Sequence, residues 1–99
     1  MTASTAPTGP GGRVALELVS ADTDAVVYAA ELHAAATVHR ARVTIAVSDG
    51  ALTWSTWDTD PAPWLLEFAR AFLRGEWRAR NVDDPAPWPR KINRWRPER

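Results

Sequence analysis

Hydrophobic and polar residues alternate along four stretches of the first 57 residues, and this pattern predicts β-strands. The first stretch places Val14, Leu16 and Leu18 on one face. A period of two is typical of antiparallel strands that cover a core on one side and meet water on the other. We therefore expect an antiparallel meander of three to four strands over residues 13–57. The four stretches are residues 13–19, 25–33, 43–47 and 52–56.

Asp49 and Gly50 lie between the last two stretches and predict a two-residue hairpin turn, because both central residues of such a turn favour positive φ. With this turn, residues that face each other have numbers that sum to 99, and the apolar residues of both strands share one face. The expected pairs are Val47 with Leu52, Ile45 with Trp54, Val43 with Thr56 and, on the other face, Arg42 with Trp57.

Residues 25–39 allow a second interpretation. The alanine-rich segment 29–36 has a high helix propensity, and Asp22, Thr23 or Asp24 could cap a helix there. That interpretation gives the order β-α-β-β-α of ferredoxin-like folds. Segment 26–28, Val-Val-Tyr, favours a strand instead, so the meander is preferred. Both interpretations are α+β.

Residues 61–80 show the period of an amphipathic helix. Asp60 is suited to the N-cap, and Pro61 is suited to the first helical position. Glu76 follows Gly75 within the apolar side, so the helix either ends at Gly75 or continues with Glu76 paired to Arg80. The apolar side consists of Leu65, Phe68, Ala69, Phe72 and Leu73, and the opposite side carries Arg70, Arg74 and Arg78.

Residues 85–99 form a tail rich in proline, tryptophan and arginine. Two helical turns fit at about 89–95, between prolines that disfavour helix at the preceding residue. Such a helix would pack Trp88, Ile92 and Trp95 on the domain and turn its cationic residues outward. Residues 1–12 are rich in glycine, proline and alanine, and we expect a flexible leader there, followed by a single α+β domain over 13–99.

Composition excludes several classes of function. The chain has 99 residues, no cysteine and no apolar run long enough to span a membrane, which excludes disulfides and zinc–thiolate sites and favours a cytoplasmic protein without a membrane partner. The two histidines, His33 and His39, belong to no metal-binding or catalytic motif. We therefore expect no enzyme activity, no cofactor and no metal site.

The net charge of zero conceals an asymmetry. Residues 1–65 carry three basic and seven acidic side chains, a net of −4, whereas residues 66–99 carry nine basic and five acidic ones, a net of +4. Six of the nine aromatic residues are tryptophan, which is typical of cores and interfaces. The basic tail would suit an acidic protein surface, a nucleic acid or the acidic half of the chain itself.

These observations favour a small non-enzymatic interaction module that binds a protein partner or a second copy of itself. The residues expected to meet the partner are Arg40, Arg42, Trp57, Arg90, Lys91, Arg94 and Arg96. The alternative is a nucleic-acid-binding protein that uses Arg70, Arg74 and Arg78 together with the tail. A pI near 6.7 disfavours the alternative, because dedicated nucleic-acid binders are typically far more basic.

Overall fold

A computed structural model describes residues 11–34 and 36–97 of the chain. Its five strands form one antiparallel sheet in the order β4-β3-β2-β1-β5, so the α+β class is confirmed, with five strands rather than three to four. The meander is confirmed, and the ferredoxin-like alternative is wrong because segment 25–34 is a strand. The elements are β1 (Gly11–Ala21), β2 (Ala25–Ala34), β3 (Thr37–Ala46), β4 (Leu52–Trp54), α1 (Pro63–Arg80) and β5 (Lys91–Pro97).

The core lies between α1 and one face of this sheet. On β2 the alternation expected from the sequence is complete, with every second side chain buried from Val26 to Leu32. The helix contributes Leu65, Ala69 and Leu73, all fully buried, whereas Phe68 and Phe72 pack at the margin of the core and are half-buried. The buried hydrophobic residues of the sheet are Val14, Leu16, Val26, Tyr28, Ala30, Leu32, Val43, Ile45 and Ile92.

The two ends of the chain fold differently from the expectation. Gly11 and Gly12, assigned above to the leader, belong to β1, and the rest of the leader, residues 1–10, lies outside the described residues. The predicted tail helix is wrong: segment 91–97 is a strand that pairs with β1, with Ile92 opposite Leu16. Because β1 would otherwise expose its hydrogen-bonding groups along that edge, pairing satisfies more of the backbone than two isolated helical turns could.

The hairpin between β3 and β4 exists, but its register is shifted by two residues from the expectation. Ile45 faces Leu52 instead of Trp54, and the loop has four residues, 47–50. It is closed by bonds from the amide of Ala46 to the carbonyl of Ala51 and from the amide of Gly50 to the carbonyl of Ala46. A shift of two keeps the side chains on their expected faces. The faces of paired residues 43–45 and 52–54 are therefore as expected, whereas the expected pairing is wrong.

Contacts from distant parts of the chain explain the longer loop. The amide of Val47 donates to the carbonyl of Asp24 at 3.0 Å, and the carbonyl of Val47 accepts a hydrogen bond from the indole of Trp77 at 2.8 Å. The amide and the carbonyl of Val47 are therefore not available for the hydrogen bonds to Leu52 that a two-residue turn requires. Gly50 keeps the positive φ expected of it, at 76°, and lies against the ring of Trp77.

The helix begins two residues later than predicted, with Ala62 as the N-cap and no side-chain cap. Pro63 explains this, because the residue before a proline disfavours the helical conformation, and Ala62 is extended at φ −60° and ψ 141°. Asp60 and Pro61 therefore lie outside the helix. At the other end, α1 continues past Gly75 to Arg80.

Two glycine substitutions are expected to change stability in opposite directions. In Gly50→Ala the new Cβ would meet the Trp77 ring at 2.7 Å and would require positive φ, so we expect a loss of about 2 kcal/mol. In Gly75→Ala the Cβ meets nothing within 4 Å, and we expect a gain of about 0.5–1 kcal/mol because alanine restricts the unfolded chain. Urea denaturation measures both, and equal changes in the two variants would contradict the assigned environments.

Candidate functional site

The face of the sheet opposite α1 is open. Among the described residues α1 is the one helix, and it lies against the core face, so the opposite face has no covering layer. Ala15 and Ala29 stand near the middle of this open face, where their small side chains leave a shallow depression of about 220 Å³. The depression is bordered by Glu17, Glu31, Lys91 and Asn93.

Charged side chains lie around this depression. Glu31 is central: its Oε2 lies 3.2 Å from Nε of Arg40, and its Oε1 lies 3.1 Å from Nε2 of His33. The hydrogen bonds from Arg40 and His33 lower the pKa of the Glu31 carboxyl below its usual value. By strand alternation four cationic residues and two carboxylates belong to this face, which is therefore net basic. They are Arg13, Arg40, Arg42 and Lys91 with Glu17 and Glu31.

Trp95 gives the open face its aromatic residue. It faces Arg13 across the β1–β5 pair and is 43% exposed. Its ring lies over the backbone of Gly11, where a Cβ would come within 2.9 Å of the indole. The absence of a Cβ at Gly11 thus allows the indole to lie close to the backbone at the start of β1.

The structure divides the predicted partner-binding residues among different surfaces. Arg40, Arg42 and Lys91 share the open face. Arg94 and Arg96 point to the opposite side, where their guanidinium groups lie 5.2 Å from the Phe72 ring and 5.3 Å from the Phe68 ring. The expectation that Arg94 turns away from the domain on a helix is therefore wrong, because strand alternation brings it beside α1.

Trp57 lies apart from the open face, whereas Arg90 lies at its margin, beside Glu17 and Lys91. The expected pairing of Trp57 with Arg42 is wrong: Trp57 packs on Trp54 with ring centroids 5.2 Å apart, at the margin of the core. The amide of Arg42 instead donates to Oγ of Ser55. Arg90 is exposed just before β5, and its carbonyl accepts a hydrogen bond from Leu18.

The arginines of the nucleic-acid alternative lie on the outer side of α1. Arg70, Arg74 and Arg78 are exposed there, on the other side of the sheet from Arg40 and Arg42. Arg70 is paired with Glu67 at 2.9 Å. These three arginines form a ridge along α1, which we call the arginine ridge. The arginine ridge and the open face are two separate surfaces, with the sheet and the core between them.

Sequence reasoning missed Arg13, Asn93 and Trp95 as members of the open face. The sequence predicts a helix at about residues 89–95, in which Trp95 would share a side with Ile92. In a strand Ile92 and Trp95 point to opposite faces of the sheet, because side chains at odd and even positions alternate between faces. The signal that could have found Asn93 and Trp95 is the order Lys-Ile-Asn-Arg-Trp-Arg at 91–96, in which an alternation of faces places them together with Lys91. For Arg13 the signal is the alternation of β1, which places it opposite in face to Val14.

A partly buried cluster around Tyr28 lies just before the start of β5. The hydroxyl of Tyr28 donates to the carbonyl of Pro89 at 2.6 Å, and its ring meets Trp88 edge-on with centroids 6.3 Å apart. The guanidinium carbon of Arg80 lies 4.9 Å from the centroid of the Trp88 ring, and Nη1 of Arg80 donates to Oε1 of Glu76 at 2.8 Å. The pairing of Glu76 with Arg80, one of the two expected outcomes, is confirmed.

Burial raises the pKa of Tyr28 to about 12. In the unfolded chain the phenol titrates near 10, so this group stabilises the fold fully below pH 10 and the contribution is lost between pH 10 and 12. We expect a loss of about 2–3 kcal/mol over that range. Tyr28 is the sole tyrosine, so phenolate absorbance follows it alone. A midpoint near 10 in the folded protein would contradict this expectation, and Tyr28→Phe, which cannot ionise, is the control.

No group of three or more histidine, aspartate or glutamate side chains in segments 11–34 and 36–97 could hold a metal ion. His39 is buried, with Nδ1 lying 3.0 Å from the carbonyl oxygen of Thr59.

No helix among residues 11–34 and 36–97 is long and apolar enough to cross a membrane. Searches of protein-family models, of curated proteins and of solved structures find nothing that matches the chain.

Proposed function

We propose that this protein is a small non-enzymatic interaction module that binds a protein partner through the open face of its sheet. The observation that carries the proposal is that a five-stranded sheet lacks a covering layer on one face among the described residues, and that this face combines a depression at Ala15 and Ala29 with exposed Trp95. Open antiparallel faces commonly meet water, so the composition of the face is what favours binding.

Three features of the face suit a protein partner. The small side chains of Ala15 and Ala29 allow a partner's side chains to approach the sheet backbone. Arginine and tryptophan are enriched among residues that contribute most to binding, and Arg42 and Trp95 are exposed on the open face, opposite Ala29 and Arg13 of the neighbouring strands. The excess of cations over carboxylates favours an acidic partner.

A nucleic acid is the second candidate, favoured by one observation. Trp95 lies beside Arg13 on the open face, and an aromatic ring next to a cation can stack a base and contact a phosphate. Against it, Arg94 and Arg96 are stacked on phenylalanine rings, and Arg70 is paired with Glu67. The arginines of β5 and those of the arginine ridge on α1 are therefore poorly placed to contact one nucleic-acid strand together.

The proposal is tested by filling the depression. Ala29→Gln adds a neutral side chain at its centre, and Ala79→Gln makes the same change at an exposed position of α1. We expect proteins captured from a native lysate, quantified by mass spectrometry, to be lost with Ala29→Gln and kept with Ala79→Gln. If light scattering shows a dimer, the same variants decide whether the open face joins two copies.

Two outcomes would contradict the protein-binding proposal. The first is capture that is equal for the wild-type protein and both variants. The second is tight binding of a labelled oligonucleotide that weakens steeply with salt and is abolished by Ala29→Gln, because counterion release is typical of phosphate contacts. That second result would establish the nucleic-acid alternative.

A further inference from the structure

The outer edge of β5 carries a row of backbone groups that point away from the sheet. The amide of Leu18 donates to the carbonyl of Arg90 at 2.8 Å, in the same register that pairs Leu16 with Ile92. In an antiparallel pair every second residue faces its partner strand, so positions 90, 92, 94 and 96 bond to β1. The N–H and C=O groups of Lys91, Asn93 and Trp95 therefore point outward, and among the described residues no strand lies beyond them.

The opposite edge of the sheet is covered to a greater extent. β4 has only three residues, and the segment after it continues along β3 through irregular contacts. The amide of Arg42 donates to Oγ of Ser55, and the amide of Arg40 donates to Oδ1 of Asp58 at 2.8 Å. An added strand would find these β3 groups occupied, so the β5 edge is the better template.

The β5 edge is strongly basic. Between Arg90 and Arg96 four of seven residues are cationic and none is acidic. Lys91 lies on the open face, whereas Arg94 and Arg96 lie on the helix side, each held over a phenylalanine ring. Two β5 strands side by side would bring these cations together, and like charges facing each other on paired strands are destabilising. Charge complementarity therefore favours an acidic segment over a second copy.

Two further contacts define what such a segment would meet. Arg94 donates from Nη1 to the carbonyl of Asn93 at 2.8 Å, which occupies one outward acceptor but leaves the outward N–H groups unbonded by this side chain. Beside the strand, on the helix side, lies a mainly apolar groove of about 220 Å³, lined by Trp64, Glu67, Phe68, Ala71 and Arg96. The carboxylate of Glu67 is paired with Arg70. A side chain of an added strand would point towards this groove at every second position.

We propose that the β5 edge binds an extended acidic segment of a partner protein as a sixth strand of the sheet. Its main chain bonds to Lys91, Asn93 and Trp95, its carboxylates meet the cations on both sides of β5, and an apolar side chain enters the groove between α1 and β5. This inference rests on the proposed protein-binding function and names the chemistry of the partner.

The decisive variants are Asn93→Pro and Asn93→Ser. Proline removes the outward N–H of position 93 and no bond to β1, which is why edge strands tolerate it there, whereas serine keeps that N–H. The probe is a fluorescein-labelled seven-residue peptide in which glutamate and valine alternate, followed by anisotropy at low salt. We expect binding at least about ten-fold weaker to Asn93→Pro and within about two-fold of wild type for Asn93→Ser. Circular dichroism and a thermal melt confirm that both variants are folded.

Two modified peptides keep the test decisive if Asn93→Pro does not fold. The first carries lysine in place of every glutamate, and the second is methylated at every peptide nitrogen, which preserves its charge and abolishes its hydrogen-bond donors. We expect neither to bind. Equal binding of the methylated and unmodified peptides would overturn strand addition, because charge alone would explain it. No binding of the acidic peptide, or a dimer that Asn93→Pro dissociates, would overturn the acidic partner.

Lysate capture separates failure of this inference from failure of the proposed function. Partners lost with Ala29→Gln but retained with Asn93→Pro would overturn strand addition at β5 and leave the open face as the binding surface. Partners lost with Asn93→Pro and kept with Asn93→Ser support the edge. Capture unaffected by all of these variants would overturn both.

Discussion

Truncation after Val82 is expected to abolish cooperative folding or to lower the melting temperature by well over ten degrees. The truncation removes β5, which pairs with β1 along seven positions and buries Ile92 against the core. It also removes Trp88 and Pro89, which cover Tyr28 and bond to its hydroxyl. Loss of these contacts would cost about 5 kcal/mol or more, comparable with the entire stability of a small domain.

A point substitution in the same strand is the control for this truncation. Trp95→Ser removes a larger side chain than any other in β5, but Trp95 lies 43% exposed on the open face, so we expect a loss of only about 1 kcal/mol. Ile92→Ala, at 4% exposure, should cost about 2–4 kcal/mol. Differential scanning calorimetry ranks the three. An unchanged melting temperature after truncation would show that β5 does not belong to the folded unit.

The second large effect is expected at Leu73. This side chain is fully buried between α1 and the sheet, so Leu73→Ala should reduce the free energy of unfolding by about 3–5 kcal/mol. Phe68→Ala removes more atoms but is expected to cost less, about 1–3 kcal/mol, because Phe68 is half-buried and partly covered by Arg96. Arg74→Ala, on the exposed side of the helix, should stay within about 0.5 kcal/mol.

Urea denaturation of the three helix variants tests which side of α1 faces the core. The amphipathic pattern predicts five residues on one side of α1, and the structure assigns the deepest positions to Leu65, Ala69 and Leu73. A larger loss for Phe68→Ala than for Leu73→Ala would mean that the helix is rotated about its axis relative to the sheet.

The parts of the fold that follow from local pattern could be predicted from the sequence. The apolar residues of β1, β2 and β3 recur at every second position, and burial on a sheet requires that spacing. Arg40 and Arg42 belong to the same pattern, so their place on the solvent face could be deduced. The core side of α1 could be deduced in the same manner from its period of 3.6.

The parts that depend on distant contacts could not be predicted in this way. The length of the β3–β4 loop is set by Trp77, thirty positions away from the Val47 carbonyl that it bonds. β5 was missed because only Ile92 is buried among its inward residues, whereas Arg94 and Arg96 place charged groups over phenylalanine rings. The inward positions of β5 after Ile92 are arginines that lie against aromatic rings of α1. The sequence of β5 therefore lacks the alternation of apolar and polar residues by which a strand is recognised.

The candidate site was affected by the same missing strand. Trp95 and Arg13 become neighbours only when β5 pairs with β1, so no window along the sequence contains both. The basic tail was correctly singled out as unusual, but its residues were assigned to one outward surface. A strand instead distributes them between two faces and one edge, and this division separates the open face from the β5 edge as two proposed binding surfaces.

The pairing of β1 with β5 also determines when the protein can finish folding. Leu16 and Ile92 face each other but lie 76 positions apart, so a ribosome must add most of the chain before β1 gains its second neighbour. Until then the meander of β1 to β4 has an exposed edge at β1, and closing the sheet requires a long loop to be ordered. A nascent chain held at this stage is the form most prone to aggregation and the one that a chaperone would have to protect.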